Sequence, residues 1–243
     1  MADSFLVDAT GPVVRIRLNR PEQGNPFTPE MMHTFVGLLR EHGESAATLV
    51  IALTAEGKTF SIGRDPKEPK PAKEPTAYEL RKTVIAGVLG AYQAIRDTPV
   101  PVVACVQGDA LGFGAALAGC CDITLVSSAA RFAFPEIEHN IPATLGVSAV
   151  LCTVPLKAAK WLAYSAETIT AEEALAVGLA SKILPAEGFT GACEHVLNTL
   201  AAKPRTTLEV LKLYFSKAPG MPPDTASEYA GTLLGLAMTE KPN

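Results

Sequence analysis

The residues with the most to offer chemistry are one glutamate and two glycine turns. In Ala130-Arg131-Phe132-Ala133-Phe134-Pro135-Glu136-Ile137-Glu138-His139-Asn140-Ile141-Pro142, the alternating Phe132 and Phe134 predict a strand leading into a Pro-Glu step. A carboxyl flanked by Phe134, Pro135 and Ile137 is expected to lose part of its hydration. Desolvation raises a carboxyl pKa towards the working pH, which suits a general acid or base. A purely structural glutamate fits the same residue types.

The first glycine turn is Lys58-Thr59-Phe60-Ser61-Ile62-Gly63-Arg64-Asp65, after an apolar run at Leu49–Thr54. A glycine behind a strand lets the chain turn sharply and lets a ligand approach the next amide. The second is Gln107-Gly108-Asp109-Ala110-Leu111-Gly112-Phe113-Gly114-Ala115-Ala116, where a buried strand ends and small residues open a helix. Unpaired amides at a helix N-terminus stabilise a negative oxygen; close helix–sheet packing is the other use of such residues. The glycine spacing matches neither the dinucleotide fingerprint nor the phosphate-binding loop.

The five cysteines, Cys105, Cys120, Cys121, Cys152 and Cys193, show no paired spacing and sit in apolar stretches, which predicts free, buried thiols without chemistry. His33, His42 and His195 have no carboxylates at ligand spacing, so no metal is expected. Trp161, Leu162 and Tyr164 share a helical stretch expected in a core or a subunit contact.

These groups need a scaffold, and the hydropathy pattern supplies one. Phe5–Val7 and Val13–Leu18 flank a turn-rich spacer and predict a hairpin, and Thr28-Pro29-Glu30 opens a helix running to about Glu41. Leu49–Thr54, Val100–Val106 and Ile123–Val126 read as strands covered on both faces, with a helix at about Tyr78–Arg96 between the first two. Alternating strands and helices argue for an α/β core. Beyond about residue 145 the pattern is mostly helical, at Pro155–Tyr164, Ala171–Val177, Gly188–Leu200, Pro204–Phe215 and Asp224–Met238, with a short strand at Ala180–Leu184. Asp65–Pro75 holds four prolines and balanced charges, and reads as an extended solvated loop or as a flap over a ligand.

With 243 residues, 48% apolar, and 21 basic against 25 acidic side chains for a net charge of −4, the chain is long enough for one large soluble domain or a domain with a small appendage. Scattered Lys and Arg exclude the basic footprint of nucleic-acid binding. The longest apolar runs, such as Val84–Leu89, fall short of the ~20 residues that cross a bilayer. Met1-Ala2-Asp3-Ser4 lacks a charged-then-apolar leader, so a cytoplasmic location is expected, with no membrane partner.

Taken in order, the motifs resemble the enoyl-CoA hydratase/isomerase, or crotonase, family. The resemblance rests on Leu18-Asn19-Arg20-Pro21 with Asn25-Pro26, on Phe60-Ser61-x-Gly63-x-Asp65, and on Gly108-x-Ala110-x-Gly112-x-Gly114 followed by Cys121-Asp122. Phe132-x-x-Pro135-Glu136 and Ala171-Glu172-Glu173-Ala174-x-x-x-Gly178-Leu179 before Ile183-Leu184-Pro185 complete it, over about residues 5–235. The resemblance implies an α/β fold, a crotonase-like spiral of ββα units over residues 1–185 followed by a helical C-terminal trimerisation region over 186–243. It implies a homotrimer or hexamer acting on an acyl-CoA thioester, with coenzyme A part of the substrate and no separate cofactor.

By the same resemblance, the backbone amides of Arg64 and Phe113 hold the thioester oxygen and Glu136 is the acid/base, with Ile62, Gly63, Leu111, Gly112, Ala116, Pro135, His139 and Thr144 along the substrate. Phe113 stands where glycine is usual. Family hydratases carry two glutamates, of which the first falls at Ala116; a single base suits double-bond isomerisation, while Glu138, His139 or Asn140 in place of the missing acid would permit hydration. Thr144 replaces the aspartate of dienoyl isomerases and haloaroyl-CoA dehalogenases, which counts against both. Decarboxylation, with Arg64 or His139 meeting the leaving carboxylate, and non-catalytic acyl-CoA binding complete the alternatives. Residues from about Lys67 to Lys82 and from Ile141 to Val147 are expected to shape the acyl pocket. The last residues, Thr239 to Asn243, bring no further helix or basic group of the kind that family members place against the CoA adenosine.

Overall fold

Apolar residues spaced two apart build the central sheet, because alternate side chains of a strand face opposite ways. In the computed structural model, which describes residues 4–67 and 73–239, the strands are β1 (Phe5–Asp8), β2 (Val13–Leu18), β3 (Val50–Ala55), β4 (Val102–Val106), β5 (Ala110–Leu111), β6 (Ile123–Ser127), β7 (Arg131–Ala133), β8 (Ile169–Thr170) and β9 (Lys182–Leu184). Six of them form one sheet in the order β1-β2-β3-β4-β6-β9. The expected β1–β2 hairpin is antiparallel and every later pairing in this sheet is parallel, with Ile51 opposite Val102 and Val103 opposite Ile123.

The helices are α1 (Pro29–Glu44), α2 (Ala77–Leu80), α3 (Ala86–Asp97), α4 (Phe113–Cys120), α5 (Thr144–Val150), α6 (Leu156–Ser165), α7 (Ala171–Ala176), α8 (Phe189–Ala201), α9 (Arg205–Lys217) and α10 (Pro223–Thr239). Thr28 caps α1, its side-chain oxygen accepting from Met31 N–H. One sheet face presents Val14, Ile16, Leu18, Ile51, Leu53, Val102, Ala104 and Val106 to α1, α3 and α4. The other presents Val13, Ala52, Val103, Cys105 and Leu125 to Phe189, Cys193 and Leu197 of α8. Both faces are covered, as the near-continuous apolar strands require.

Three features differ from the expectations drawn above. The helix expected over Tyr78–Arg96 is broken by a wide π turn at Arg81–Ile85, where three consecutive β-branched side chains crowd an α turn. A second sheet, β5-β7-β8, joins Ala110 to Phe132 in parallel and Phe132 to Ile169 in antiparallel pairing; strands of two and three residues leave no periodicity to read. Cys152 is exposed rather than buried. Within the Asp65–Pro75 segment, residues 68–72 lie outside the described residues.

The C-terminal helices are tied to the core by two cations. Arg205 of α9 donates to the carbonyls of Gly43 (3.1 Å), Ser45 and Thr48. The buried Lys212 donates to Ile95 O at 2.8 Å and pairs with Asp122, whose carboxylate also accepts from Val102 N–H at 2.8 Å.

Candidate functional site

Three chain segments lie side by side beyond the carboxyl ends of β3, β4 and β6, and together they bring the two glycine turns and the glutamate to one place. Phe60 and Ser61 N–H donate to Asp109 O at 3.0 and 3.1 Å, Leu111 N–H to Ser61 O at 2.8 Å, and Gly112 N–H to Ala133 O at 2.9 Å. The Asp109–Gly112 stretch is thus laced to the Ser61 loop on one side and to β7 on the other. Side chains play no part in that lacing.

The turns then meet through their glycines. Gly63 has φ +96°, and a Cβ there would lie 2.9 Å from Leu111 O and 3.2 Å from Phe113 N. Gly112 has φ 51° and ψ −120°, a conformation that a side chain opposes, and a Cβ there would lie 3.2 Å from Glu136 Oε1. Phe113 is the first residue of α4, where an N–H has no acceptor within the helix. Arg64 pairs with Phe27 in a short parallel bridge. Phe27 N–H donates to Gly63 O at 2.8 Å and Asp65 N–H donates to Phe27 O at 2.9 Å, so Arg64 N–H is directed away from Phe27 on the opposite side of its strand.

A buried polar frame holds the Arg64 turn. Asn25, fully buried at φ 52°, donates from Nδ2 to Glu56 O and Thr59 O at 2.8 Å each and accepts from Arg20 N–H at 2.8 Å. Ser61 Oγ–H donates to Asn25 O at 2.8 Å and its oxygen accepts from Gly63 N–H at 3.1 Å. Arg20 donates to Pro26 O at 2.7 Å and pairs with Asp65 at 2.8 Å. Burial pushes the Asp65 carboxyl up, but the Lys67 N–H and the Arg20 guanidinium outweigh it and hold the group below its ordinary range. These roles for Arg20, Asn25 and Ser61 are not legible in the sequence, where polar residues in a loop look solvated.

The Pro-Glu step forms a short 3₁₀ turn, Pro135–His139, after β7. Glu136 Oε2 is buried and without a hydrogen-bond partner, while Oε1 lies between Gly112 and Gly146 of α5. Burial raises the Glu136 pKa; its own backbone N–H and nearby His139 pull it part of the way back. The partial desolvation expected from Phe134 and Pro135 is therefore present, although Ile137 is exposed.

The other residues named from the sequence divide into two groups. Gly63, Leu111, Gly112 and Ala116 are at the junction, with Ala116 buried one turn into α4 and its N–H donating to Gly112 O at 3.0 Å. Ile62 faces away from it, its side chain packed over Gly24. Pro135 lies beside Gly112, whereas His139 and Thr144 are exposed. A groove of about 340 Å³ opens beside Arg64, lined by Met32, His33, Val36, Val84 and Gly87 of α1 and the Arg81–Asp97 helical stretch. Among the described residues its walls thus differ from the Lys67–Lys82 and Ile141–Val147 segments expected to shape a pocket. Burial pushes the Cys120 thiol up to about 11 and that of Cys121 well upward, which disfavours their thiolates. Among the described residues, no three His, Cys, Asp or Glu side chains are placed to hold a metal.

Two crossing glycine turns beyond a parallel sheet, beside one desolvated carboxyl, define a protein of the crotonase-fold class. The family model described as enoyl-CoA hydratase/isomerase matches residues 8–235, and the chain belongs to that enzyme family. It is 30% identical to rat enoyl-CoA hydratase domain-containing protein 3, mitochondrial, over 214 residues, covering 88% of this chain and 70% of the rat protein. It is 28% identical to the short-chain-enoyl-CoA hydratase of Clostridium acetobutylicum over 237 residues, 96% of this chain and 88% of that protein. The crystal structure of enoyl-CoA hydratase from Mycobacterium smegmatis superposes with a TM-score of 0.92 at 27% identity, covering 98% of this chain and 92% of that one.

Proposed function

We propose that the chain isomerises the double bond of an acyl-CoA thioester, converting a 3-enoyl group to the 2-enoyl form through an enolate held by the Arg64 and Phe113 amides. The observation that carries this reading is the lone desolvated Glu136 carboxyl against Gly112, one residue from the Phe113 N–H. The ionised carboxylate takes a proton from C2, and the C–H pair moves into the C1–C2 bond as charge passes to the thioester oxygen. Two preorganised N–H donors, that of Phe113 at the start of α4 and that of Arg64 in the bridge beside Phe27, oppose that charge where it develops. Neutral Glu136 then returns the proton to C4, the remaining double bond settling between C2 and C3. One base begins and ends the cycle in the same state, so no acid is needed at Ala116.

The groove beside Arg64 is the place for the thioester to lie, and no separate cofactor enters. The exposed Trp161 and Tyr164, and Phe215, Leu234 and Leu236 on the C-terminal helices, support assembly into a homotrimer or hexamer through residues 186–243. Among the described residues no helix is long and apolar enough to cross a membrane, and we place the activity in the cytoplasm.

Incubating 3-enoyl- and 2-enoyl-CoA with the protein in deuterated water, followed by mass spectrometry and NMR, tests the reaction. Double-bond migration with deuterium uptake and no 3-hydroxyacyl product is expected. A second reading, hydration, is favoured by the names of the relatives and predicts a 3-hydroxyacyl product instead. Inertness towards every enoyl thioester would point to decarboxylation or to acyl-CoA binding without turnover.

A further inference from the structure

Ser61 is fully buried and stands between the two turns whose amides the proposed reaction uses. Its backbone is fastened to the second of them. Ser61 N–H donates to Asp109 O at 3.1 Å and Ser61 O accepts from Leu111 N–H at 2.8 Å, in a short parallel bridge between Ser61 and Ala110. Gly114 of α4 comes so close that a Cβ on it would lie 2.7 Å from both Ser61 Cβ and Ser61 O. The chain on either side of Phe113 therefore packs directly on Ser61.

The Ser61 hydroxyl acts within the first turn. Oγ–H donates to Asn25 O at 2.8 Å, and Oγ accepts from Gly63 N–H at 3.1 Å, a side-chain bond to the amide two residues on that shapes a turn. The bond matters because of what Gly63 is. A residue at φ +96° with no side chain gives the adjoining peptide groups little steric resistance to rotation, and the Arg64 N–H belongs to one of those groups. Two contacts fix this pivot. Ser61 Oγ holds the Ile62–Gly63 peptide by its N–H, and Phe27 N–H holds the Gly63–Arg64 peptide by its carbonyl at 2.8 Å. A trans peptide points its C=O and N–H opposite ways, so the Arg64 N–H takes its direction from this pair.

We propose that Ser61 is a positioning residue of the oxyanion site. Its hydroxyl locks the Gly63 pivot while its backbone fixes the Phe113 turn, so a single residue sets the register of the Arg64 and Phe113 amides relative to each other. The proposal rests on the reading of those amides as donors to a thioester oxygen, and adds what keeps them convergent. Donors stabilise a developing oxyanion only where their N–H groups meet it, and small errors of orientation are costly.

The test is isotope-edited infrared spectroscopy of butyryl-CoA, labelled with carbon-13 at the thioester carbonyl and bound to the parent protein or to Ser61→Ala, with coenzyme A affinity measured by calorimetry on the same proteins. Butyryl-CoA carries the carbonyl but no double bond to migrate. In the parent, the bound carbonyl stretch is expected below its frequency in water, because two converging donors polarise the bond. In Ser61→Ala the band is expected to move back towards the free position and to broaden, while coenzyme A binds as in the parent. Ser61→Cys keeps a weaker donor and acceptor in the same place, and its band is expected between the other two. Bands in both variants that match the parent's, or a loss of coenzyme A affinity in step with the band, would overturn the proposal and leave the reading of the two amides standing. A parent protein that fails to lower the carbonyl frequency would overturn both.

Discussion

The rings of Phe27 and Phe113 meet edge to face with 5.1 Å between their centroids. Phe27 therefore reaches both halves of the candidate oxyanion site: its backbone brackets Arg64 through Gly63 O and Asp65 N, and its ring supports the side chain of Phe113. A residue larger than glycine at the start of α4 is accommodated because its ring turns into the core, between Phe27 and Tyr92. The bulk of Phe113 thus packs against two core rings.

Replacing Phe27 by Leu keeps an apolar core residue but removes the edge-to-face contact. We expect a stability loss of about 1–3 kcal/mol together with a fall of roughly tenfold or more in kcat for double-bond migration, since small displacements of an oriented donor are costly. Thermal melts and steady-state rates measured side by side check this. Full kcat in a destabilised protein would remove Phe27 from the positioning of the amides.

Glu136→Gln is expected to lower kcat by about 10²–10⁴ and to leave acyl-CoA affinity nearly intact. In the parent protein the acid limb of the pH–rate profile should lie above 4.5, the ordinary value for a glutamate, because burial raises this one. The same shift has a sign for stability. The folded protein holds the proton more tightly than the unfolded chain, so the neutral carboxyl contributes stability below its unfolded pKa that is lost as pH rises through the folded one. Glutamine keeps the neutral form throughout; the variant should melt above the parent at pH 7–8, and the gap should close near pH 4.

Arg20→Met removes the guanidinium that joins Asp65, Pro26 O and the loop carrying Arg64. A cost of about 2 kcal/mol is expected for losing charge-assisted hydrogen bonds at a largely covered site. Because the pair stabilises only while Asp65 is ionised, and the folded protein holds that carboxyl below its ordinary range, the gap between variant and parent should be widest near pH 7 and narrow as pH falls through the folded Asp65 pKa. Melts from pH 3 to 7 would show it, and superimposable curves would argue that the pair is idle.

Lys212→Met strips Ile95 O and Asp122 of a buried donor. Asp122 keeps the Val102 N–H, so the loss should sit near the lower end for a broken buried pair, about 3 kcal/mol. Hydrogen exchange is expected to rise first in α9 and α10, where the tie is lost, while the Gly63 and Gly112 turns stay protected.

How much of this was legible depended on the physical length of each signal. The apolar runs of β3, β4 and β6 and the periodic faces of α1, α6 and α8 announced themselves, because five or more residues repeat one constraint. The Pro-Glu step and both glycine turns could be read as candidates, since Gly63 and Gly112 occupy backbone states that few other residues tolerate. The frame of Arg20, Asn25 and Ser61 could not, because its partners are carbonyls up to 36 residues away and a carbonyl has no residue type. Tyr92 was equally silent: on a helix face with Val88 and Ile95 it reads as core, and only the fold brings it against Phe113 and near Glu136. The turn direction that carries Ile62 over Gly24, away from the junction, is likewise a tertiary fact.

Arg205 makes its three carbonyl contacts across 157 to 162 residues of chain. During synthesis from the N-terminus, every residue of the junction around Glu136 leaves the ribosome well before this guanidinium does. A nascent chain would thus hold the Gly43, Ser45 and Thr48 carbonyls open to water until the final helices emerge. Docking of α9 is the step that closes the molecule, and a pause in translation before Arg205 would expose an unfinished but already laced centre to chaperones and proteases.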